Sequence, residues 1–279
     1  MVARNQRNVL PRIAASSYLN STPLIWSFSE GSHRHSVELL TDTAPSRCAS
    51  MLARREVEAA LVPVIEYQRI PELVVVPGVC VGARSRVRSV VLATRKRDIS
   101  EVSTIALDTS SRTSAALIEI IFREFLRREP KLTPAEPDLT KMLHSHDAAL
   151  IIGDPAMTFP REDLRVYDLA KLWREHTGLG FVFAMWMAGE EDAERIARVD
   201  FAGARDEGLM NAELIAETYG KDLGLPQAEL LSYLRENICY ELDEDMRAGL
   251  DLYYSLAHRH GLAERARPLK FTGSVEVVA

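Results

Sequence analysis

Cysteine is scarce in this chain. Three occur in 279 residues, Cys48, Cys80 and Cys239, far apart and never as Cys-x-x-Cys. That spacing excludes a disulfide scaffold or a zinc ribbon and fits free thiols in a reducing compartment. Positive charge is in short supply too, with 34 Lys and Arg against 40 Asp and Glu, a net charge of −6. A nucleic-acid binder should carry a basic stripe, so no nucleic-acid partner is expected. No apolar run reaches transmembrane length, and the basic segment Met1–Arg12 lacks the apolar stretch of a secretion signal. We therefore expect a cytoplasmic protein with no membrane partner.

Several catalytic signatures are missing as well. There is no Walker loop, dinucleotide fingerprint or Gly-x-Ser-x-Gly elbow. Six of the seven histidines fall in pairs two apart, His33/His35, His144/His146 and His258/His260, in loop-like or helical contexts. On a helix, residues two apart do not face each other, and no Cys, Asp or Glu cluster completes a metal site. No metal is expected.

What is present is a globular balance, 47% apolar and 27% charged, in a chain long enough for two modest domains. Short apolar runs alternate with helical patterns. Arg12–Ala15, Val37–Leu40, Ala59–Val62, Glu72–Val76, Val87–Thr94, Thr104–Leu107, Ala148–Ile152 and Phe181–Met187 read as strands. Pro45–Arg54 and Arg112–Arg128 read as helices, and from about Glu190 onward the chain reads as helix over Ala193–Tyr219, Pro226–Asn237 and Asp243–His260. The alternation predicts an α/β fold with parallel sheets. It further suggests a discontinuous, two-lobed plan. One lobe would comprise residues 1–94 plus 188–279 and the other the inserted residues 95–187, with strands near Val90 and Phe183 crossing between them. This is the plan of type 2 periplasmic-binding-protein-like folds with a central cleft, here followed by C-terminal helices. Domain-interface clefts are a preferred place for small ligands.

Chemistry concentrates at strand-to-helix turns, where open α/β sheets bind ligands. Ser16-Ser17-Tyr18-Leu19-Asn20-Ser21-Thr22-Pro23-Leu24 follows the first strand, with Thr22 suited to an N-cap and Pro23 to the first helical position. Asn20 reads either as a cleft residue or as an Asx-turn holding its own backbone. In Asp108-Thr109-Ser110-Ser111-Arg112-Thr113-Ser114, capping needs one hydroxyl, yet Ser110, Ser111, Thr113 and Ser114 crowd within five positions. Unpaired N–H groups and a partial positive charge at a helix start suit an anion, and the surplus of hydroxyls points the same way. Arg112 could add a guanidinium or face solvent. Ser89 is a lone hydroxyl in a β-branched run, either solvent-facing or, on a crossing strand, turned to the cleft. Gly153 permits close backbone approach, and Asp154 reads chiefly as the cap of a helix begun by Pro155. Thr177-Gly178-Leu179-Gly180-Phe181 is a glycine-rich turn that either offers N–H groups to a ligand or merely turns the chain.

Taken in order, Ser17–Leu24, Val87–Leu92, Asp108–Ser114, Gly153-Asp154 and Thr177–Ala184 resemble the chorismate dehydratase family, whose members begin the futalosine route to menaquinone. Two departures are visible. Gly180 stands where the commoner Thr-Gly-Leu-Pro-Phe run has proline, and Asn20-Ser21-Thr22 differs in small ways from typical versions. The resemblance implies a cofactor-free lyase that converts chorismate, a small anionic substrate, to 3-[(1-carboxyvinyl)oxy]benzoate and water. It places Asn20 and Ser89 beside the reacting ring. It makes Ser17, Ser110, Ser111, Thr113, Ser114, Gly153, Asp154, Gly178 and Gly180 substrate-binding positions. It supplies no strong general base among the side chains, the substrate's own enolpyruvyl carboxylate taking that role with Asn20 orienting it. Two other readings share the fold. The sister futalosine-pathway enzyme acts on a cyclic hypoxanthine-derived intermediate through a histidine, for which His144, His146 and His176 are the candidates. The other is a non-catalytic small-molecule binding protein. A monomer or a homodimer fits either reading.

Overall fold

The computed structural model describes residues 10–273, so most of the basic N-terminal segment lies outside it. Ten strands form two five-stranded sheets. The first sheet contains β1 (Arg12–Ser16), β2 (Glu38–Asp42), β3 (Ala59–Pro63), β4 (Leu73–Ala83) and β10 (Phe181–Gly189) in the order β2-β1-β3-β10-β4. The second contains β5 (Val90–Thr94), β6 (Thr104–Asp108), β7 (Lys131–Ala135), β8 (Ala148–Ile152) and β9 (Arg165–Asp168) in the order β7-β6-β8-β5-β9. In each sheet four strands run in one direction and the fifth, β10 or β5, lies antiparallel to the strands on both sides of it. The two halves thus share one topology.

The central strands are buried on both faces, which is why they read as unbroken apolar runs. Ala59–Pro63, Val90–Thr94 and Ala148–Ile152 contain no exposed residue. The two edge strands of the second sheet carry no such signal. Lys131–Ala135 and Arg165–Asp168 are short and half exposed, and Pro134 is tolerated because an edge strand need not use every N–H. One apolar core runs through both sheets and the helices between them, while a smaller cluster around Val91, Ala106 and Ile151 lies on the far face of the second sheet.

Neither of the strands expected to cross does so. β5 pairs only within the second sheet and β10 only within the first. The chain passes between sheets in the connections 84–89 and 178–180. The long helical patterns are also subdivided. Ala193–Tyr219 becomes Ala193–Ile196, Phe201–Met210 and Ala212–Leu223, with the Asp200 carboxylate capping the second piece by accepting from Gly203 N. The helices Thr113–Ile120 and Gln227–Ser232 each continue into a π-helical turn, Ile121–Phe125 and Tyr233–Asn237.

Candidate functional site

A cavity opens between the two sheets, with roughly 500 Å3 of empty space, part of it continuous with solvent. Its walls come from both halves. The first contributes Ser16, Tyr18, Asn20 and Ser21 from the β1 turn, with Leu61, Val81 and Phe183 from the sheet; the second contributes Ser110, Ser111, Thr113, Ser114, Ile152 and Gly153. The lining therefore pairs an apolar bed that suits a ring with hydroxyls, an amide and backbone that suit polar substituents. It includes no Lys, Arg, His, Asp or Glu.

Positive potential comes from the backbone instead. Helices Thr22–Ser29, Pro45–Ala53 and Thr113–Ile120 all begin at this cavity, with Ser21, Pro45 and Thr113 in its wall. At the starts of Thr22–Ser29 and Pro45–Ala53 the first-turn N–H groups are already taken, Thr22 N by the carbonyls of Tyr18 and Leu19 and Ser46 N by that of Ser110, and Pro23 and Pro45 have none, so these helices bring the partial positive charge of their aligned peptides and not free donors. Three helix starts facing one space favour an anion without any cationic side chain.

The sequence motifs build this wall by local hydrogen bonding. At the first turn the cap position falls to Ser21, one residue earlier than Thr22, and Pro23 sits one place into the helix. The Ser21 hydroxyl lies 2.9 Å from that of Ser16 and donates to Asn20 Oδ1 at 3.2 Å, which fixes the amide with its nitrogen away from Ser21. Asn20 is thus a cavity residue with a braced side chain. Ser17 does not reach the cavity; its carbonyl accepts from the Tyr219 hydroxyl at 2.8 Å, and that hydroxyl in turn accepts from Thr22 Oγ1.

At the second turn one hydroxyl caps, as elementary capping requires. Ser111 Oγ accepts from Ser114 N at 3.3 Å. Ser110 donates to the buried Asp108 carboxylate, which also accepts from Ser110 N and Ile152 N. Burial pushes the Asp108 carboxyl above its ordinary range, and these donors offset part of that rise. Thr113 Oγ1 accepts from Ile65 N across the interface. Arg112 neither binds the cavity nor faces solvent freely. Its guanidinium donates to the buried Glu66 carboxylate at 2.8 Å and to Ser50 Oγ at 3.0 Å, both in the other half.

Asp154 departs from the role its position suggested. Its side chain makes no capping bond; Oδ1 accepts from Leu19 N at 3.0 Å, linking the halves next to Asn20. Burial raises this carboxyl to about 6, the bond from Leu19 opposing the rise. Gly153 lines the cavity with φ +67°, and a Cβ there would lie 2.5 Å from the Tyr18 ring. Its glycine is required twice over, by backbone and by the ring packed on it. Ser89 is fully buried and outside the cavity lining. Its hydroxyl accepts from Tyr233 at 2.7 Å, and its carbonyl accepts from Gly153 N.

The glycines of the third turn lie away from the cavity. Gly178 closes helix Leu169–Thr177 in the left-handed conformation. Gly180 N donates to Asp245 Oδ2 at 2.9 Å, and a Cβ there would meet Met246 at 2.7 Å. A proline at this position would remove that N–H, so the departure from the commoner motif has a partner in helix Glu244–Arg259. Phe183 and Ala184, just beyond, do line the cavity. Sequence reasoning passed over Tyr18, Tyr219 and Tyr233, whose hydroxyls reach the motifs from the cavity wall and the C-terminal helices. Only their polar tips inside apolar patterns could have singled them out.

This architecture defines a class. Solved structures with the same fold include a protein of Archaeoglobus fulgidus (TM-score 0.70, 17% identity, covering 90% of this chain and 98% of that one). They also include the periplasmic aliphatic sulphonate binding protein of Escherichia coli (TM-score 0.60, 15% identity, 97% and 96% covered). The chain is thus a periplasmic-binding-protein-like α/β protein with its cavity between two sheets. Residues 11–259 match the menaquinone biosynthesis family. The chorismate dehydratase of Thermus thermophilus is 31% identical over 228 residues, 75% of this chain and 83% of that protein. The chain belongs to the chorismate dehydratase family.

Proposed function

We propose that this chain is a carbon–oxygen lyase that dehydrates chorismate to 3-[(1-carboxyvinyl)oxy]benzoate. The observation that carries the reading is a cavity with no charged side chain in its lining, in which three helix starts, a hydroxyl cluster and Asn20 surround an apolar bed. Chorismate presents an apolar ring and two carboxylates, and that pairing fits such a lining.

The reaction removes the ring proton at C3 and the hydroxyl at C4 and yields an aromatic ring. Negative charge that develops at C3 spreads through the diene into the ring carboxylate. Fixed donors around that carboxylate therefore stabilise the transition state more than the ground state. In this reading Ser114, Thr113 and the backbone at the start of helix Thr113–Ile120 hold one carboxylate. Asn20 holds the other, the enolpyruvyl carboxylate, against the C3 proton it removes. With no acidic, basic or imidazole side chain in the lining, catalysis rests on orientation and preorganised dipoles. That lining also favours this reading over the sister enzyme. His144 and His146 sit at the end of helix Leu139–Ser145, and His176 stacks on Phe125, 4.6 Å between ring centres.

The same proposal takes the two sheets as the two lobes, one built on residues 10–83 and 181–273 and the other on 90–177. It assigns a cytoplasmic biosynthetic enzyme that works without a cofactor, as a monomer or homodimer. The test is direct. Purified protein with chorismate and EDTA, and no added cofactor, is followed by mass spectrometry and ultraviolet absorbance. Loss of one water with a new aromatic spectrum, faster than without enzyme, is the expected result. Unchanged chorismate with folded protein would overturn the assignment, and binding without turnover would mark a small-molecule binding protein.

A further inference from the structure

One buried carboxylate next to the cavity has no part in the chemistry described so far. Asp108, at the end of β6, is 1% exposed and lies outside the lining, one hydrogen bond behind Ser110, which is in it. No cationic side chain pairs with it among the described residues. Its partners are neutral donors, Ser110 Oγ at 2.5 Å, Ser110 N at 2.9 Å and Ile152 N at 3.2 Å. A carboxylate buried without a cation costs stability, and its effect shows in Ser110.

A serine hydroxyl has one hydrogen and two lone pairs. Ser110 gives its hydrogen to Asp108 Oδ1 and has only lone pairs left to offer the cavity. The rest of the turn is arranged the other way. Ser111 Oγ accepts from Ser114 N and Thr113 Oγ1 accepts from Ile65 N, both at 3.3 Å. Among the described residues, the hydroxyls of Ser111, Thr113 and Ser114 donate to no other protein group. Three hydrogens are thus free at the start of helix Thr113–Ile120, and one acceptor backed by a carboxylate stands beside them.

We propose that Ser110 is a specificity-determining residue that reads a hydroxyl and not a carboxylate: with its hydrogen committed to Asp108, it accepts the O–H of a ligand whose carboxylate lies against Ser111, Thr113 and Ser114. A carboxylate oxygen placed on Ser110 would meet lone pairs with a buried negative charge behind them, so the turn rejects that orientation. The identity of the hydroxyl rests on the dehydratase reading, in which it is the one at C4 of chorismate. That hydroxyl departs in the reaction, so product is held by one bond fewer than substrate.

Substrate and product supply the test, because both carry the two carboxylates and only substrate carries the hydroxyl. In Ser110→Ala, kcat/KM for chorismate falls about tenfold, the loss expected for one hydrogen bond to an acceptor backed by charge. The inhibition constant of 3-[(1-carboxyvinyl)oxy]benzoate changes by less than about twofold in the same variant. Ser114→Ala, at the carboxylate end, weakens both, and melting temperatures check folding. A Ser110→Ala variant that loses product as strongly as it loses kcat/KM, or keeps kcat/KM within about twofold of wild type, overturns the proposal.

A second measurement needs no substrate. Neutron diffraction from crystals of the whole chain in D2O, near neutral pH, locates the exchangeable deuteron between Ser110 and Asp108. It is expected on Ser110 Oγ and aimed at Asp108 Oδ1. A deuteron bound to Asp108, or one on Ser110 aimed into the cavity, overturns the proposal even if kcat/KM falls. A deuteron aimed at Asp108 in a protein inert toward chorismate keeps Ser110 as an acceptor and discards the C4 hydroxyl as what it reads.

Discussion

The Asp154 carboxylate accepts the main-chain N–H of Leu19 at 3.0 Å, a bond from one sheet's turn to the other's, made one residue before Asn20. It belongs to a set of cross-links around the cavity. Arg112 with Glu66, Ile65 N with Thr113, and the amide and hydroxyl of Ser46 with the carbonyls of Ser110 and Thr109 belong to it as well.

Burial holds the Asp154 carboxyl at about 6 against an ordinary 3.8. A folded value above the unfolded one means that the ionised form costs stability. The cost is present above about pH 6 and is relieved as pH falls toward 4. Asp154→Asn keeps an acceptor for Leu19 and sheds the charge. Its melting temperature should exceed that of wild type at pH 7.5 and converge with it by pH 4, as calorimetry across pH would show. A gap that widens at low pH would contradict the assignment.

Arg112→Ala leaves the Glu66 carboxylate buried with only Arg69, at 3.5 Å, for company. Stability should fall by roughly 2–4 kcal/mol, as when one partner of a buried pair is lost. Urea midpoints would check it, and a loss within about 0.5 kcal/mol would place the pair with ordinary surface pairs.

Gly153 and Gly178 make a controlled comparison. Both have positive φ, but a Cβ at Gly153 strikes the Tyr18 ring whereas at Gly178 it meets nothing within 4 Å. Gly178→Ala should cost about 1 kcal/mol and retain turnover. Gly153→Ala should cost roughly 2 kcal/mol or more and lose most turnover, since Tyr18 must move. Equal kcat/KM in the two variants would remove the ring contact from the account.

Asn20→Ala should lower kcat on chorismate about a hundredfold, as loss of one preorganised donor does, with a much smaller change in KM. Unchanged kcat would remove Asn20 from the mechanism.

Much of this was legible in the sequence, for physical reasons. Strands buried on both faces advertise themselves as apolar runs, and turns at strand ends carry their own punctuation, so Asn20, the Ser110–Ser114 cluster and Gly153 could be placed from local chemistry. What escaped was either half-exposed or long-range. The edge strands at Lys131 and Arg165 lack an apolar run. Asp154 looked like a cap because nothing local reveals a partner 135 positions away, and Ser89 meets Tyr233 across 144. Gly180 is the mirror case. Its amide is needed by Asp245, a fact written 65 residues downstream.

The lining of the cavity is divided between the two sheets, and the bonds from Leu19 to Asp154, from Ile65 to Thr113 and from Arg112 to Glu66 keep its two walls in register. The site is therefore a joint property of the halves. A substitution at Asp154 or Arg112, neither of which lines the cavity, should alter what the cavity holds by moving one wall against the other.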